Sequence, residues 1–179
     1  MIITVSGLAG TGTTSVCQKL KEKLGFEYIY AGAIFRTEAE KMGISIEEFC
    51  KHLEKHPELD KDIDRKIIEF AEEHKNTILE GRLAGWMVYK EDLSALKVLL
   101  KVPLDIAAKR VSYRDLVSPE EALKIVEDRD KRDRERYKKL YDIDLADESI
   151  YDLIIDTSDK SIDEEVSEII TDYELRITN

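Results

Sequence analysis

Ile2-Ile3-Thr4-Val5-Ser6-Gly7-Leu8-Ala9-Gly10-Thr11-Gly12-Thr13-Thr14-Ser15 is the stretch on which the fold turns. Its first five residues are short, apolar and mostly β-branched, which is how a buried strand reads, and Gly7 stops it. A helical pattern from about Thr14 to Leu24 follows. Between the two, Gly7 to Thr14 matches the phosphate-loop spacing of Gly, four residues, Gly, Lys, Ser/Thr in every position but one. Glycines permit the positive backbone angles that turn successive amides inward, and the helix start adds partial positive charge, so the loop forms an anion nest. Gly7, Leu8, Ala9, Gly10, Thr11, Gly12, Thr13, Thr14 and Ser15 are therefore candidate contacts for a nucleotide's phosphates. Thr14 holds the hydroxyl position that ligates Mg²⁺, and Ser15 can donate to a phosphate behind it. Thr13 stands where the lysine belongs, so that charge must come from elsewhere in the chain. The plain alternative is a glycine-rich turn that only packs a strand on a helix; the strand–loop–helix context speaks against it.

The rest of the chain repeats the alternation. Phe26 to Tyr30, Thr77 to Glu80, Leu96 to Val102 and Leu153 to Asp156 read as four more short strands. Helical patterns separate them: Ala33 to Lys41, one opening at Ser45 with Glu48 three residues on, and one opening around Pro57. Others run from Pro103 to about Arg114, from Ser118 (Pro119 next, Glu121 completing a box) to about Leu140, and from Ser161 with Glu164. Strands alternating with helices imply an α/β fold, a five-stranded parallel sheet covered on both faces, with ligands outside the carboxyl ends of the strands.

The 179 residues suit a single domain, 1–179. With 42% hydrophobic and 37% charged residues, disorder and a membrane span are both poor explanations. The net charge of −11 argues against a general nucleic-acid binder, since phosphate backbones need a basic surface. Cys17 and Cys50 form no metal or redox motif, and the N-terminus does not read as a signal peptide, so a reduced cytoplasmic setting is expected.

Lys109 to Lys139 runs against the overall charge, with eleven basic residues and eight acidic ones. At about 100° per residue, Ala122, Ile125, Val126, Arg129, Arg132, Arg136 and Leu140 share one side of the helix. An arginine on that inner stripe is costly unless it meets an anion, and guanidinium suits phosphate oxygens. The plain alternative is a solvated helix whose Asp128, Asp130, Asp133 and Glu135 pair with basic neighbours at helical spacing. Arg110 and Arg114 on the preceding helix can join the cluster. Arg36 follows the second strand and Arg82 the third. Glu80, at the carboxyl end of the third strand, can hold Mg²⁺ through water; its alternative is a loop carboxylate paired with Arg82. Phe35, Trp86, Tyr89 and Tyr137 could touch a base, but packing roles suit each of them.

These segments resemble the nucleoside monophosphate kinases, most closely the archaeal type of cytidylate kinase. The likeness is carried by Gly7 to Ser15, Ala31-Gly32-Ala33-Ile34-Phe35-Arg36, Ile78 to Trp86, Arg129-Asp130-Lys131-Arg132-Asp133-Arg134-Glu135-Arg136 and Leu153 to Ser158, and spans nearly the whole chain. The archaeal type is similar to this chain in having threonine at the position of Thr13. The resemblance implies the P-loop kinase fold, with residues 37–76 as a short helical acceptor-binding insertion and about 109–148 as a small lid region. It implies ATP on the loop, Mg²⁺ at Thr14 and Glu80, the acceptor phosphate on Arg36 and Arg82, and Arg82, Arg110, Arg129 and Arg132 around the transferring group. Asp64 or Arg65 would read the acceptor. The implied reaction is phosphoryl transfer from ATP to CMP, with dCMP as a further acceptor, involving no nucleic acid and no membrane. Adenylate kinase, or a nucleotide-switched assembly protein on the same fold, are the other readings.

Overall fold

The computed structural model describes residues 1–74 and 76–178. β1 (Ile2–Gly7) is the central strand, with Ile3 and Val5 wholly out of water. β2 (Glu27–Tyr30), β3 (Thr77–Glu80), β4 (Ala95–Lys101) and β5 (Leu153–Asp156) complete a parallel sheet in the order β2-β3-β1-β4-β5. The five expected strands are present, with ends shifted by a residue or so.

Helices cover both faces. On one, Val16, Cys17 and Leu20 of α1 (Thr13–Leu24) and Val166, Ile169 and Tyr173 of α8 (Ile162–Thr178) close over Ile3, Val5, Leu96, Val98 and Ile155. On the other, α2 (Ala31–Met42), α3 (Ile46–Lys55), α4 (Pro57–Glu73) and α5 (Ala84–Lys90) bury Phe49, Leu53, Ile67, Ile68 and Val88 against Ile2 and Leu79. A third core is small. Ala107 and Val111 of α6 (Leu104–Asp115) and Ala122 and Val126 of α7 (Pro119–Tyr141) pack on Ala9, so the basic helix is seated on the glycine loop. Among the described residues no helix is long and apolar enough to cross a membrane.

The helix starts follow local chemistry. Ser45 and Glu48 form the full reciprocal box, as do Ser161 and Glu164. At Ser118 half of it is made, the hydroxyl accepting from the Glu121 amide. Two features differ from expectation. α2 starts at Ala31, directly from β2, rather than at Ala33. α5 was not expected at all: at seven residues with Gly85 inside it, it carries too little periodicity to announce itself. That glycine is required by contact, since a Cβ there would lie 2.6 Å from the Tyr151 ring.

Candidate active site

The loop leaves β1 at its carboxyl end and turns into α1. Gly10 and Gly12 take φ of +80° and +94°, the left-handed region that β-carbons disfavour. At Gly10 a Cβ would also meet the Ala107 carbonyl at 2.7 Å, so glycine both shapes the loop and lets α6 approach. The Thr11 hydroxyl closes the turn on the Leu8 carbonyl at 2.9 Å. Ser15 lies on the exposed side of α1.

Glu80 ends β3 beside the loop and is 3% exposed. Its Oε1 accepts from Thr13 Oγ1 at 2.8 Å and Thr14 Oγ1 at 2.7 Å, and its Oε2 accepts from the Tyr28 hydroxyl. Burial and then the Glu80 carboxylate hold the Tyr28 phenol protonated well above its ordinary range. Among the described residues no basic side chain pairs with Glu80, so the ion pair with Arg82 considered from the sequence does not form. The threonine in the lysine position instead turns its hydroxyl onto this carboxylate.

Arg82 pairs across the cleft with α7. Its Nη2 lies 3.3 Å from Asp130 Oδ1, and its Nη1 meets the Asp133 carboxylate. Burial first, and then Arg129, lower the Arg82 pKa from its ordinary value; Arg132 acts in the same direction, while Tyr137 and Asp130 oppose. Arg129 and Arg132, chain neighbours of these acids on α7, thus both act on the Arg82 charge, with Asp130 and Asp133 as its counter-charges. The helical-spacing alternative is corrected for these two acids, which reach another element rather than their helical neighbours. Arg132 also has a buried Nε with no hydrogen-bond partner among the described residues.

The remaining candidates are dispersed. Arg110 donates to Thr157 Oγ1 at 2.9 Å, the Thr157 carbonyl at 2.5 Å and the Gly10 carbonyl at 3.3 Å, which fastens the loop to the segment after β5. Arg114 grips its neighbour Asp115. Arg36 is exposed, its guanidinium 4.9 Å from the Tyr30 ring centre. Arg65 is exposed and pairs with Asp62 and Glu69 on its own helix. Asp64 is buried, and its Oδ2 accepts from the Tyr141 hydroxyl at 2.6 Å.

Phe35, Asp64, Arg82, Met87 and Tyr137 border one cleft between α4 and the end of β3, with about 40 Å³ of open space. Sequence reasoning missed Tyr28, Asp60, Asp130, Asp133 and Tyr141 as members of this region. Acids alternating with arginines along α7 were the available signal, but such runs ordinarily solvate a helix.

Comparison with known proteins gives the family and the fold. Residues 2–159 match the model of the cytidylate kinase-like family. The chain is 52% identical over 158 residues to the cytidylate kinase of Thermococcus kodakarensis, covering 88% of this chain and 80% of that one. With the cytidylate kinase of Methanocaldococcus jannaschii it shares 45% over 159 residues, covering 88% and 89%. Among solved structures, a shikimate kinase from Bacteroides thetaiotaomicron superposes with a TM-score of 0.62 at 14% identity, covering 97% and 98% of the two chains. An uncharacterized protein from Eubacterium ventriosum gives 0.71 at 20%, covering 96% of each. These last two establish the fold alone, and it is the expected P-loop kinase fold.

Proposed function

The chain belongs to the cytidylate kinase-like family, and on that premise we propose that it transfers the γ-phosphoryl group of ATP to CMP, and also to dCMP, giving the diphosphate and ADP. The observation that carries the reading is that Arg82 pairs with Asp130 and Asp133 on the helix that also bears Arg129 and Arg132, and that Asp130 reaches the Ala9 amide of a phosphate loop with no lysine of its own. ATP phosphates lie on Gly7 to Ser15, and the acceptor phosphate is held by Arg82 together with Arg36. Residues 37–76 serve as the acceptor-binding insertion and about 109–148 as the lid. The setting is cytoplasmic, which suits two free cysteines.

The acceptor is already an anionic phosphate, so no catalytic base is required. The chain's task is to hold two negative groups in line, exclude water and neutralise charge on the moving phosphoryl. Arg129 and Arg132 supply that charge from α7. Arg110 contributes by holding the loop through Gly10 and Thr157. Thr14 and Glu80 fit Mg²⁺: a hydroxyl and a buried carboxylate lie 2.7 Å apart, hard oxygen donors with no competing ammonium. No group of three or more His, Cys, Asp or Glu side chains suited to a metal exists among the described residues. The two oxygens would therefore share the ion with water and nucleotide phosphates, as Mg²⁺ prefers. When bound, the ion offsets charge on the donor's outer phosphates.

Asp64, rather than the outward Arg65, is the insertion residue that borders the cleft. A carboxylate there accepts from the exocyclic amine of a cytosine and repels the corresponding oxygen of a uracil. With about 40 Å³ of open space the cleft as it stands is too small for a nucleotide, so acceptor entry requires it to widen. ADP formation measured with CMP, dCMP, UMP and AMP tests the reading. Preference for CMP is expected. Preference for AMP would replace it with adenylate kinase, and tight ATP binding without acceptor-dependent turnover would replace it with a nucleotide switch.

A further inference from the structure

Asp130 Oδ1 accepts from the Ala9 backbone N–H at 3.2 Å and faces Arg82 Nη2 at 3.3 Å. Ala9 belongs to the phosphate loop, whereas Arg82 follows β3 on the acceptor side. One carboxylate oxygen thus spans two groups that, on the reading above, exist to hold phosphate oxygens. Both side chains of the ion pair are largely out of water, 17% and 14% exposed. A loop amide and a guanidinium converging on one anionic oxygen reproduce what a phosphoryl oxygen would meet at that point. Asp130 rides on α7, whose Ala122 and Val126 pack on Ala9, so the carboxylate is seated whenever the helix is docked.

We propose that Asp130 is an internal stand-in for phosphate: its carboxylate holds the position between the donor loop and Arg82 in the ligand-free protein and is displaced when nucleotide phosphates bind. The proposal rests on the assignment of the loop to the donor. While Asp130 is seated, α7 stays over the loop and a carboxylate occupies the space between the Ala9 amide and Arg82. Donor phosphates entering the loop evict it. Bound nucleotide then competes with a tethered anion, so measured affinity is weakened by the fraction of molecules in which that anion is seated.

The test is the equilibrium affinity of Mg-ATP, by titration calorimetry, for the wild type, Asp130→Asn and Asp128→Asn. Asp128 lies on the exposed side of the same helix and controls for a general change in charge. Asp130→Asn is expected to tighten ATP binding about fivefold or more, while Asp128→Asn leaves it within about twofold. A purely structural role in holding Arg82 predicts the opposite sign, weaker binding. Unchanged or weakened affinity in Asp130→Asn overturns the proposal, as does equal tightening in Asp128→Asn. Asp130→Ser must give the same direction of change, which guards against a folding defect in one variant. Failure of the wild type to bind ATP would instead overturn the donor-loop assignment.

Discussion

Arg136 Nε donates to Asp60 Oδ2 at 2.6 Å while its Nη2 donates to the other oxygen of the same carboxylate, so a two-pronged ion pair with both side chains out of water ties α7 to α4. The Arg136 guanidinium also lies 5.1 Å from the Phe35 ring centre and 5.3 Å from that of Tyr137. Burial works against its charge, but Tyr137 and Asp60 more than offset this and raise its pKa. Deleting one partner of such a pair leaves an uncompensated buried charge and costs about 3–5 kcal/mol. Asp60→Ala is expected to lower the unfolding free energy by that amount in urea titrations. The double change Asp60→Leu with Arg136→Met should recover most of it, and a single-variant loss below about 1 kcal/mol would show that the pair contributes little.

Arg132 has a different status. Among the described residues its buried Nε has no hydrogen-bond partner, which is costly in the free protein and is resolved when an anion arrives. Arg132→Ala is expected to lower turnover by about 10³ or more, a scale set by arginine fingers, with the melting temperature nearly unchanged. Turnover close to that of the wild type would remove Arg132 from the site.

Thr13→Lys tests whether the arginines on α7 and after β3 do the work of the absent lysine. The Thr13 hydroxyl is engaged with Glu80 at 2.8 Å, so an ammonium there would meet the same carboxylate and not only the nucleotide. The expected gain in kcat/KM is at most a few-fold. A gain of orders of magnitude would mean that the site lacks a cation.

Asp64 links acidity to stability. Burial pushes its pKa up to about 6; the Tyr141 hydrogen bond and Arg136 oppose this and Asp60 adds to it. A carboxyl whose folded pKa lies above its unfolded value stabilises most below the unfolded value, near pH 4, and loses that contribution as pH rises through about 6. Burial likewise pushes Glu165 up to about 7, with the same sign. Asp64→Asn should therefore flatten the fall in unfolding free energy between pH 4.5 and 7 by on the order of 2 kcal/mol relative to the wild type. Parallel pH profiles for the two proteins would contradict the assignment.

The legible parts of the fold were local. Capping at Ser45, Ser118 and Ser161 is decided within four residues, so it was read correctly, apart from the return bond at Ser118. The short β-branched runs were legible for the same reason. On α7, angular position along the helix placed Arg136 on the buried side, and it is buried. The inference that an inward arginine must meet an anion also held in kind. Its anion, however, is Asp60, which lies 76 residues away in sequence. Angular position did not identify Asp133, 5% exposed, as the neighbour that shares the buried face and takes Arg82.

What the sequence determined by itself was the alternation of strands and helices, the anion-binding loop, and the conclusion that a loop with Thr13 in the lysine position needs its cations from elsewhere. Each depends on backbone preference or on residue types within a few positions, and such preferences act in any context. Tertiary structure alone decided the partners: Glu80 with Thr13, Thr14 and Tyr28, Arg82 with Asp130 and Asp133, and Asp130 with the Ala9 amide. Charged side chains reach several ångströms in any direction, and many pairings have similar local cost. Packing of α6 and α7 on Ala9, and of α4 against α7, is what brings one set within hydrogen-bond reach and removes it from water.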